Sequence, residues 1–324
     1  MKLIRLKTLR VAVSVAVFVL LALPWLEYAD FFVRHVGWVS RFEIFPTIVS
    51  GFAVGMLILW MLVSFIFGRI YCSSICPIGT LLDIVGHVGR RTRKGSKRDY
   101  HYSRPLVKWR QWSLVVIVLC AVLEISIIPL MVNPASMYSR FLVNIARPAL
   151  MWLDNGIAAV GDATGLWSVH AVPVVTATLL VTLMSLIPII AISIPAWKYG
   201  RTYCNSICPI GTLLGYMSAQ SVWHIDIDTD RCTNCRRCEH ACKASCIDLI
   251  DHVVDGSRCV NCFNCLDACK DDAIFYTPSR KQLSLPMFQK INNPKVRTSA
   301  TMTSGTASSS IQNENNLTEN ETIS

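Results

Sequence analysis

Four apolar stretches, residues 11–28, 44–67, 111–132 and 173–196, leave this chain few ways to fold. Each is close to or above the roughly 20 residues that an α-helix needs to cross a bilayer core. In lipid the backbone has to satisfy its own hydrogen bonds, so such stretches become helices. The second and fourth carry no charged residue, and of the 324 residues 52% are hydrophobic and only 16% charged, too apolar for an ordinary soluble domain. The sequence therefore predicts an α-helical membrane protein with four transmembrane helices. Lys2, Arg5, Lys7 and Arg10 precede the first stretch in the manner of a secretory signal. No small-residue cleavage site follows, however, and an uncleaved first helix is the expectation.

The basic residues orient those helices. Residues 69–110 hold ten Lys and Arg against two acidic residues, whereas 30–43 and 134–171 hold two Arg each and no Lys. Positive loops stay on the cytoplasmic side. Both termini are thus expected in the cytoplasm, on a multi-pass protein of the bacterial inner (cytoplasmic) membrane. The net charge of +10, including RRTRKGSKR at 90–98, is accounted for by this orientation and by attraction to anionic lipid, so no nucleic-acid partner is expected. The second outer loop, 134–171, spaces Phe141, Ile145, Leu150 and Leu153 as a helix lying along the membrane surface would.

The second and fourth stretches each run into the same signature. GRIYCSSICPIGTLLD (68–83) and GRTYCNSICPIGTLLG (200–215) agree at 13 of 16 positions. The membrane region reads as a duplicated helix pair with a pseudo-two-fold axis along the membrane normal. That axis carries Cys72 and Cys76 toward Cys204 and Cys208, at one level just inside the cytoplasmic face. Pro77 and Pro209 suit the first turn of the helix that follows each motif.

After the fourth stretch the pattern changes. HIDIDTD at 224–230 alternates like a short strand, and two eleven-residue runs follow. CTNCRRCEHAC supplies Cys232, Cys235, Cys238 and Cys242; CVNCFNCLDAC supplies Cys259, Cys262, Cys265 and Cys269. In a C-x2-C-x2-C-x3-C run one tight loop offers three thiolates to one [4Fe–4S] cluster while the fourth cysteine reaches the neighbouring cluster. Two clusters are expected, one on Cys232, Cys235, Cys238 and Cys269, the other on Cys259, Cys262, Cys265 and Cys242. Zinc sites use spaced pairs and leave the other cysteines of each run without a purpose, and a cytoplasmic position argues against disulfides. The expected organisation is a four-helix membrane domain over 1–222, a small α+β two-cluster ferredoxin domain over 223–278, and a disordered tail over 279–324 rich in Ser, Thr and Asn.

Proline usually follows the last cysteine of such a run, but Lys243 and Lys270 stand there. A cation beside a cluster raises its potential unless water solvates the charge. Cys246, four residues after Cys242, has Ala273 as its counterpart, and Cys120 sits inside the third stretch; both read as packing residues. Ionisable residues within apolar stretches are functional candidates, which makes Glu124 the candidate proton acceptor, with Glu27 and Asp30 as interfacial neighbours. The chain has no C-x-x-C-H haem motif, no glycine-rich dinucleotide motif and no P-loop, so partner proteins have to supply any terminal chemistry.

The apolar stretches, the paired motifs at Cys72, Cys76 and Pro77 and at Cys204, Cys208 and Pro209, and the eight ferredoxin cysteines resemble the NapH family of membrane-bound quinol dehydrogenase subunits, and the related polyferredoxins of the NosR and CcoG type. The resemblance covers residues 1 to about 278, with the two lysines as its departure. It implies an electron-transfer subunit that takes quinol from the membrane pool and works with a reductase or cytochrome as redox partner. The CcoG side of the resemblance implies instead a copper-handling or redox-sensing assembly factor. Three readings of the paired Cys-x-x-x-Cys-Pro motifs stand open. Their four thiolates hold a third metal centre; or the thiols are redox-active or bind Cu(I); or the motifs only shape the membrane exit and a docking surface.

Overall fold

The computed structural model describes residues 4–26, 51–95, 99–125, 127–164, 173–174 and 176–278. Glu27, Asp30, the start of the second apolar stretch, part of the basic run and the polar tail lie outside the described residues. The first helices are α1 (Ile4–Leu26), α2 (Gly51–Phe67), α3 (Ile70–Ser74) and α4 (Pro77–Thr92). Among the described residues two segments, Leu6–Leu26 and Leu179–Tyr199, are long and apolar enough to cross a membrane. Large apolar side chains such as Ile58, Leu62, Val118, Leu119, Ile187 and Ile194 point outward along the apolar helices.

The third stretch is not one helix. It forms α5 (Val107–Val122), breaks at Leu123–Ile125 and resumes as α6 (Ile127–Val132). Pro129 is the physical reason: in a continuing helix its ring would meet the Ile125 carbonyl, and it has no N–H to give. Glu124, expected inside a spanning helix, instead occupies the break in a left-handed conformation, φ 59°, with an exposed side chain.

The chain then folds back. Asn133 caps α7 (Pro134–Phe141), its side chain accepting from the Ala135 amide at 2.9 Å. This helix does not lie along a surface. Residues Pro134–Tyr138 are buried, and the Tyr138 hydroxyl donates to the Phe18 carbonyl of α1 at 3.0 Å. A π-helical segment, Leu142–Ala146, leads into α8 (Arg147–Thr164), which exposes Trp152, Leu153, Ile157 and Val160 and buries Met151 and Ala158. The amphipathic character read from the sequence thus belongs to α8, while α7 is packed inside.

The second half repeats the first with α9 (Leu179–Tyr199), α10 (Thr202–Ser206) and α11 (Pro209–Ala219). The two copies are interlocked: α4 lies along α9, and α11 lies along α2. Each motif therefore packs on the apolar helix of the other copy.

The remainder is a small α+β unit. Strand β1 (His224–Ile227) pairs antiparallel with β4 (Ile274–Thr277), Ile225 opposite Tyr276, and β2 (Ile247–Asp248) pairs with β3 (Val253–Val254). The helices α12 (Arg237–Ala241) and α13 (Asn264–Ala268) pack on each other. Ile225, Ile227, Ile247, Val260 and Ile274 form its buried apolar centre. Two backbone bonds, Val222 N to Phe65 O at 2.9 Å and Trp223 N to Ile66 O at 2.8 Å, tie its entrance to the end of α2. A strap at 100–103 holds the other side, with Tyr100 N donating to His240 O and Ser103 N to Ser245 O.

Candidate metal centres

In each cysteine run the two residues flanking the second cysteine are left-handed. Asn234 (φ 54°) and Arg236 (φ 58°) surround Cys235; Asn261 (φ 48°) and Phe263 (φ 59°) surround Cys262. Asparagine visits this region readily, but for Arg236 and Phe263 it costs roughly 1–2 kcal/mol each. Strain of that kind persists where the surroundings overdetermine it, and it clusters at ligand clamps. Here it curls each loop so that three cysteines face one cavity.

The fourth cysteine comes from the other run. One small cavity is lined by Cys232, Cys235, Cys238 and Cys269. A second, of similar size, is lined by Cys242, Cys259, Cys262 and Cys265, and also by Cys246. Apolar side chains, among them Leu249 and Ile274 in the first and Ile225 and Val260 in the second, complete the walls. A cavity with apolar walls and four thiols converging on it fits an iron–sulfur cluster by its donor chemistry. Among the described residues no three His, Cys, Asp or Glu side chains are close enough to share a single metal ion. The first cavity has the exposed Cys235 at its edge, whereas every cysteine of the second is buried.

Four more thiols meet in the helical half of the chain. Cys72, Cys76, Cys204 and Cys208 are each 4–5% exposed and belong to one core with Met137, Tyr138 and Tyr203. Cys76 and Cys208 are the N-caps of α4 and α11, with φ −64° and −63°, and Pro77 and Pro209 take the first helical position. The Gly211 amide donates to Cys208 Sγ at 3.4 Å. Unsatisfied amides at a helix start favour a thiolate there. Gly79 and Gly211 allow the close approach, since a Cβ on either would collide with the carbonyl of Cys72 or Cys204. Burial, with Cys72 and other thiols of the set adding to it, pushes Cys204 up to about 11 despite the neighbouring Arg201 and Arg69, and raises Cys76 and Cys208 also. Loading this site with a metal therefore displaces protons.

Two arginines cross between the copies. Arg69, fully buried, donates to Cys204 O at 3.0 Å and to Asn205 Oδ1 at 2.9 Å, with Cys72 Sγ at 3.7 Å. Arg201, also buried, donates to the carbonyls of Cys72 and Gly79. Arg201 has a carboxylate, Asp83, at 2.8 Å, and Asp83 also pairs with Arg10 at 2.6 Å and Lys243 at 3.3 Å. Burial alone would raise the Asp83 carboxyl, but the Arg201, Lys243 and Arg10 cations together hold it well below the usual carboxylate range. Arg69 has no carboxylate among the described residues, and its buried Nε has no hydrogen-bond partner. A buried cation with only neutral acceptors is costly; an anionic centre on the four adjacent thiols would offset it.

These contacts also join the two halves. Arg69 donates to Ser257 O at 3.0 Å, the Arg201 amide to Lys243 O at 2.9 Å, and the Asn261 side chain to Phe67 O. Gly68 and Gly200, both with φ above 70°, turn the chain at the contact points, where a side chain would strike Asn261 or the Lys243 carbonyl. Asn261 and Lys243 belong to the loops of the second cavity, so that cavity abuts the paired motifs. Lys243 is paired with Asp83 rather than solvated, whereas Lys270 is exposed.

Sequence reasoning missed Asp83, Asn205 and Arg110, although two of them mark positions where the motif copies differ. It also missed a cavity of about 740 Å³ beside the strap, lined by Asp99, His101, Trp197, Tyr199, Asn205 and Ala244 among others. Only its aromatic, basic border at the end of α9 is visible in the sequence. Glu124 lines none of the cavities described above.

A family model described as a 4Fe-4S binding domain matches residues 49–95 and again 180–225, and a second model of the same description matches 223–244. The first model thus covers the two Cys-x-x-x-Cys-Pro copies. The methylamine utilization ferredoxin-type protein MauN of Paracoccus denitrificans is 28% identical over 190 residues, 58% of this chain and 53% of the relative. The ferredoxin-type protein NapH of Escherichia coli is 24% identical over 190 residues, 58% of this chain and 52% of the relative. The putative electron transport protein YccM of the same organism is 24% identical over 194 residues, 60% of this chain and 46% of the relative. The chain thus spans about half the length of these relatives. No solved structure matches it. The chain is thus similar to ferredoxin-type proteins such as MauN and NapH, and both of its Cys-x-x-x-Cys-Pro copies and its first cysteine run fall within matches to 4Fe-4S binding domains.

Proposed function

We propose that the protein is a multi-pass membrane electron carrier, moving electrons between the quinol pool and a redox partner through three iron–sulfur centres in series. Bound [4Fe–4S] clusters supply one-electron transfer. The Cys72, Cys76, Cys204 and Cys208 set, the second cavity and the first cavity are the three stations, in that order. The observation that carries this reading is the meeting of four buried thiols beside Arg69, whose Nε has no partner among the described residues. A wire needs its stations adjacent, and the Arg69, Arg201 and Asn261 contacts supply that adjacency. The outward apolar side chains of α1, α2, α5 and α9 support four crossings, with the first cavity and its exposed Cys235 facing the cytoplasmic partner.

The quinol docks in the 740 Å³ cavity beside the strap rather than near Glu124. Its size suits a small-molecule site, and Trp197 and Tyr199 mark a membrane-interface position where an amphiphile enters. Asn205 and Ala244 in its walls put such a donor against the second motif and the loop after Cys242. Asp99 and His101 accept its protons. The copper-handling alternative is less well supported, because the motif thiols are buried and offer no exposed sulfur for exchange with a carrier.

Iron and acid-labile sulfide, with EPR of the dithionite-reduced protein purified anaerobically, tests the reading. About twelve irons in the wild type, falling to about eight in Cys72→Ala/Cys204→Ala, is expected for three cubanes. About eight in both proteins removes the motif centre, and copper in place of iron removes the electron-carrier reading. Stopped-flow reduction by a soluble quinol analogue, slowed in His101→Ala and unaffected in Glu124→Gln, tests the assigned cavity.

A further inference from the structure

The two cysteine runs are each other's control. Four residues after the last cysteine stands Cys246 in one run and Ala273 in the other. Both are buried, at 1% and 2% exposure, and each lines its own cavity. The two cavities are otherwise alike in volume and in having four run cysteines. The second therefore holds five thiols where the first holds four.

Cys246 is placed to act on the others. Its Sγ lies 3.4 Å from Cys242 Sγ, and Cys259 is also within hydrogen-bond reach. Its carbonyl is held by the Asp255 amide at 2.9 Å, which fixes the turn that aims the side chain. The four run cysteines already complete a ligand set, which leaves Cys246 as a fifth thiol outside it. A metal-bound thiolate sulfur only accepts hydrogen bonds, and the fifth thiol is then the donor.

We infer that Cys246 is a positioning residue that donates an S–H hydrogen bond to the ligand sulfurs of the second centre and raises its reduction potential above that of the first. The inference rests on the cluster reading proposed above. Hydrogen bonds to cluster sulfurs stabilise the reduced, more negative form. The first cavity lacks the donor because Ala273 occupies its place. An electron on the chain thus resides at the buried second centre rather than at the edge of the first, where Cys235 meets solvent.

The test is an EPR-monitored potentiometric titration of the full-length protein with iron content measured alongside. In Cys246→Ala, which copies the first run, the second centre's midpoint falls and the two waves move together. A hydrogen bond of ordinary strength corresponds to about a tenfold change in the reduction equilibrium, about 59 mV for a one-electron couple. Cys246→Ser, which keeps a donor, retains most of the separation, and Ala273→Cys raises the first centre's midpoint. Unchanged midpoints in Cys246→Ala with iron retained overturn the inference. So does loss of about four irons in Cys246→Ala but not in Cys242→Ala, which makes Cys246 a ligand. If Cys246→Ala does not fold, Cys246→Ser and Ala273→Cys decide by the same criterion. A wild type without iron and sulfide defeats the cluster reading itself, a result separate from any midpoint.

Discussion

The two copies of the Cys-x-x-x-Cys-Pro motif share the residues that build the thiol site and differ at three positions, two of which bind both the other copy's arginine and the ferredoxin unit. Both keep the glycine turn, the crossing arginine, the two cysteines, the proline and the close-approach glycine. The three differences are Ile70 against Thr202, Ser73 against Asn205, and Asp83 against Gly215. Asp83 takes Lys243; Asn205 donates to Ala244 O at 3.2 Å; Thr202 lines the 740 Å³ cavity with Ala244 and Ser245. Gly215 leaves room for Arg110, which donates to Ser257 Oγ at 3.0 Å. A duplicated pair makes a two-fold thiol site, but a single ferredoxin unit cannot meet both halves alike. Asp83, Asn205 and Gly215 each take part in a contact with that one asymmetric neighbour or make room for one.

The largest test of this division is at the arginines. Arg201→Gln strands a buried carboxylate network and two motif carbonyls, and an expected loss of about 3–5 kcal/mol lowers the thermal midpoint in detergent well below that of the wild type. Arg69→Gln has no carboxylate to strand and costs about 1.5–3 kcal/mol. Equal losses would mean that the copies are equivalent after all. Asp83→Asn removes the same network from its acidic side, and its pH dependence has a definite sign. The folded carboxyl is held far below its unfolded value of about 3.9, so its contribution is fully present above that value and fades as pH falls below it. The stability gap between wild type and Asp83→Asn, followed by denaturant unfolding, is expected to be flat from pH 8 to about 4 and to close only in more acidic solution.

Gly215→Ala comes next. A Cβ there falls within 3.0 Å of Arg110 Nη2 and of the Ser257 carbonyl. One of these is backbone and cannot swing aside, so overpacking of about 1–3 kcal/mol is expected, read as a fall in the denaturation midpoint. The same substitution at exposed Gly55, where a Cβ meets nothing, is the control.

What could be read from the sequence and what could not divide along a physical line. The cysteine runs and the repeated motif carry their meaning in local spacing, because one tight loop delivers three thiols and a helix start delivers another. The crossing of each arginine to the other copy depends on how α4 and α9 interlock, which no local pattern encodes. Asp83 showed only as a mismatch in a repeat, and its partners Arg10, Arg201 and Lys243 come from three distant segments. The position of Glu124 in a helix break was not legible because hydropathy averages over a window and passes smoothly through the break that Pro129 imposes. The burial of α7 was hidden too: Phe141, Ile145, Leu150 and Leu153 gave one amphipathic spacing across the whole loop, while Pro134–Tyr138 are buried in the core that holds the thiols.

The smallest expected effect is the most direct on the docking argument. Asn205 uses both ends of its side chain, Oδ1 accepting from Arg69 at 2.9 Å and Nδ2 donating to the Ala244 carbonyl at 3.2 Å, a wall residue of the second cavity. Ser73, its counterpart, turns its hydroxyl back onto the Ile70 carbonyl at 3.1 Å. Asn205→Ser converts the second copy to the first at this one position, and a serine is too short to span Arg69 and Ala244 together. About 1 kcal/mol is lost with the Ala244 bond. That loss is too small to unfold the protein but enough to loosen the ferredoxin unit against the motifs, since the bond lies in their contact. Hydrogen exchange at 243–246 is expected to quicken while the α4 and α9 amides keep their protection. Quickening spread evenly over both copies would show that Asn205 serves the thiol site rather than the docking, and the division between shared and divergent positions would fall with it.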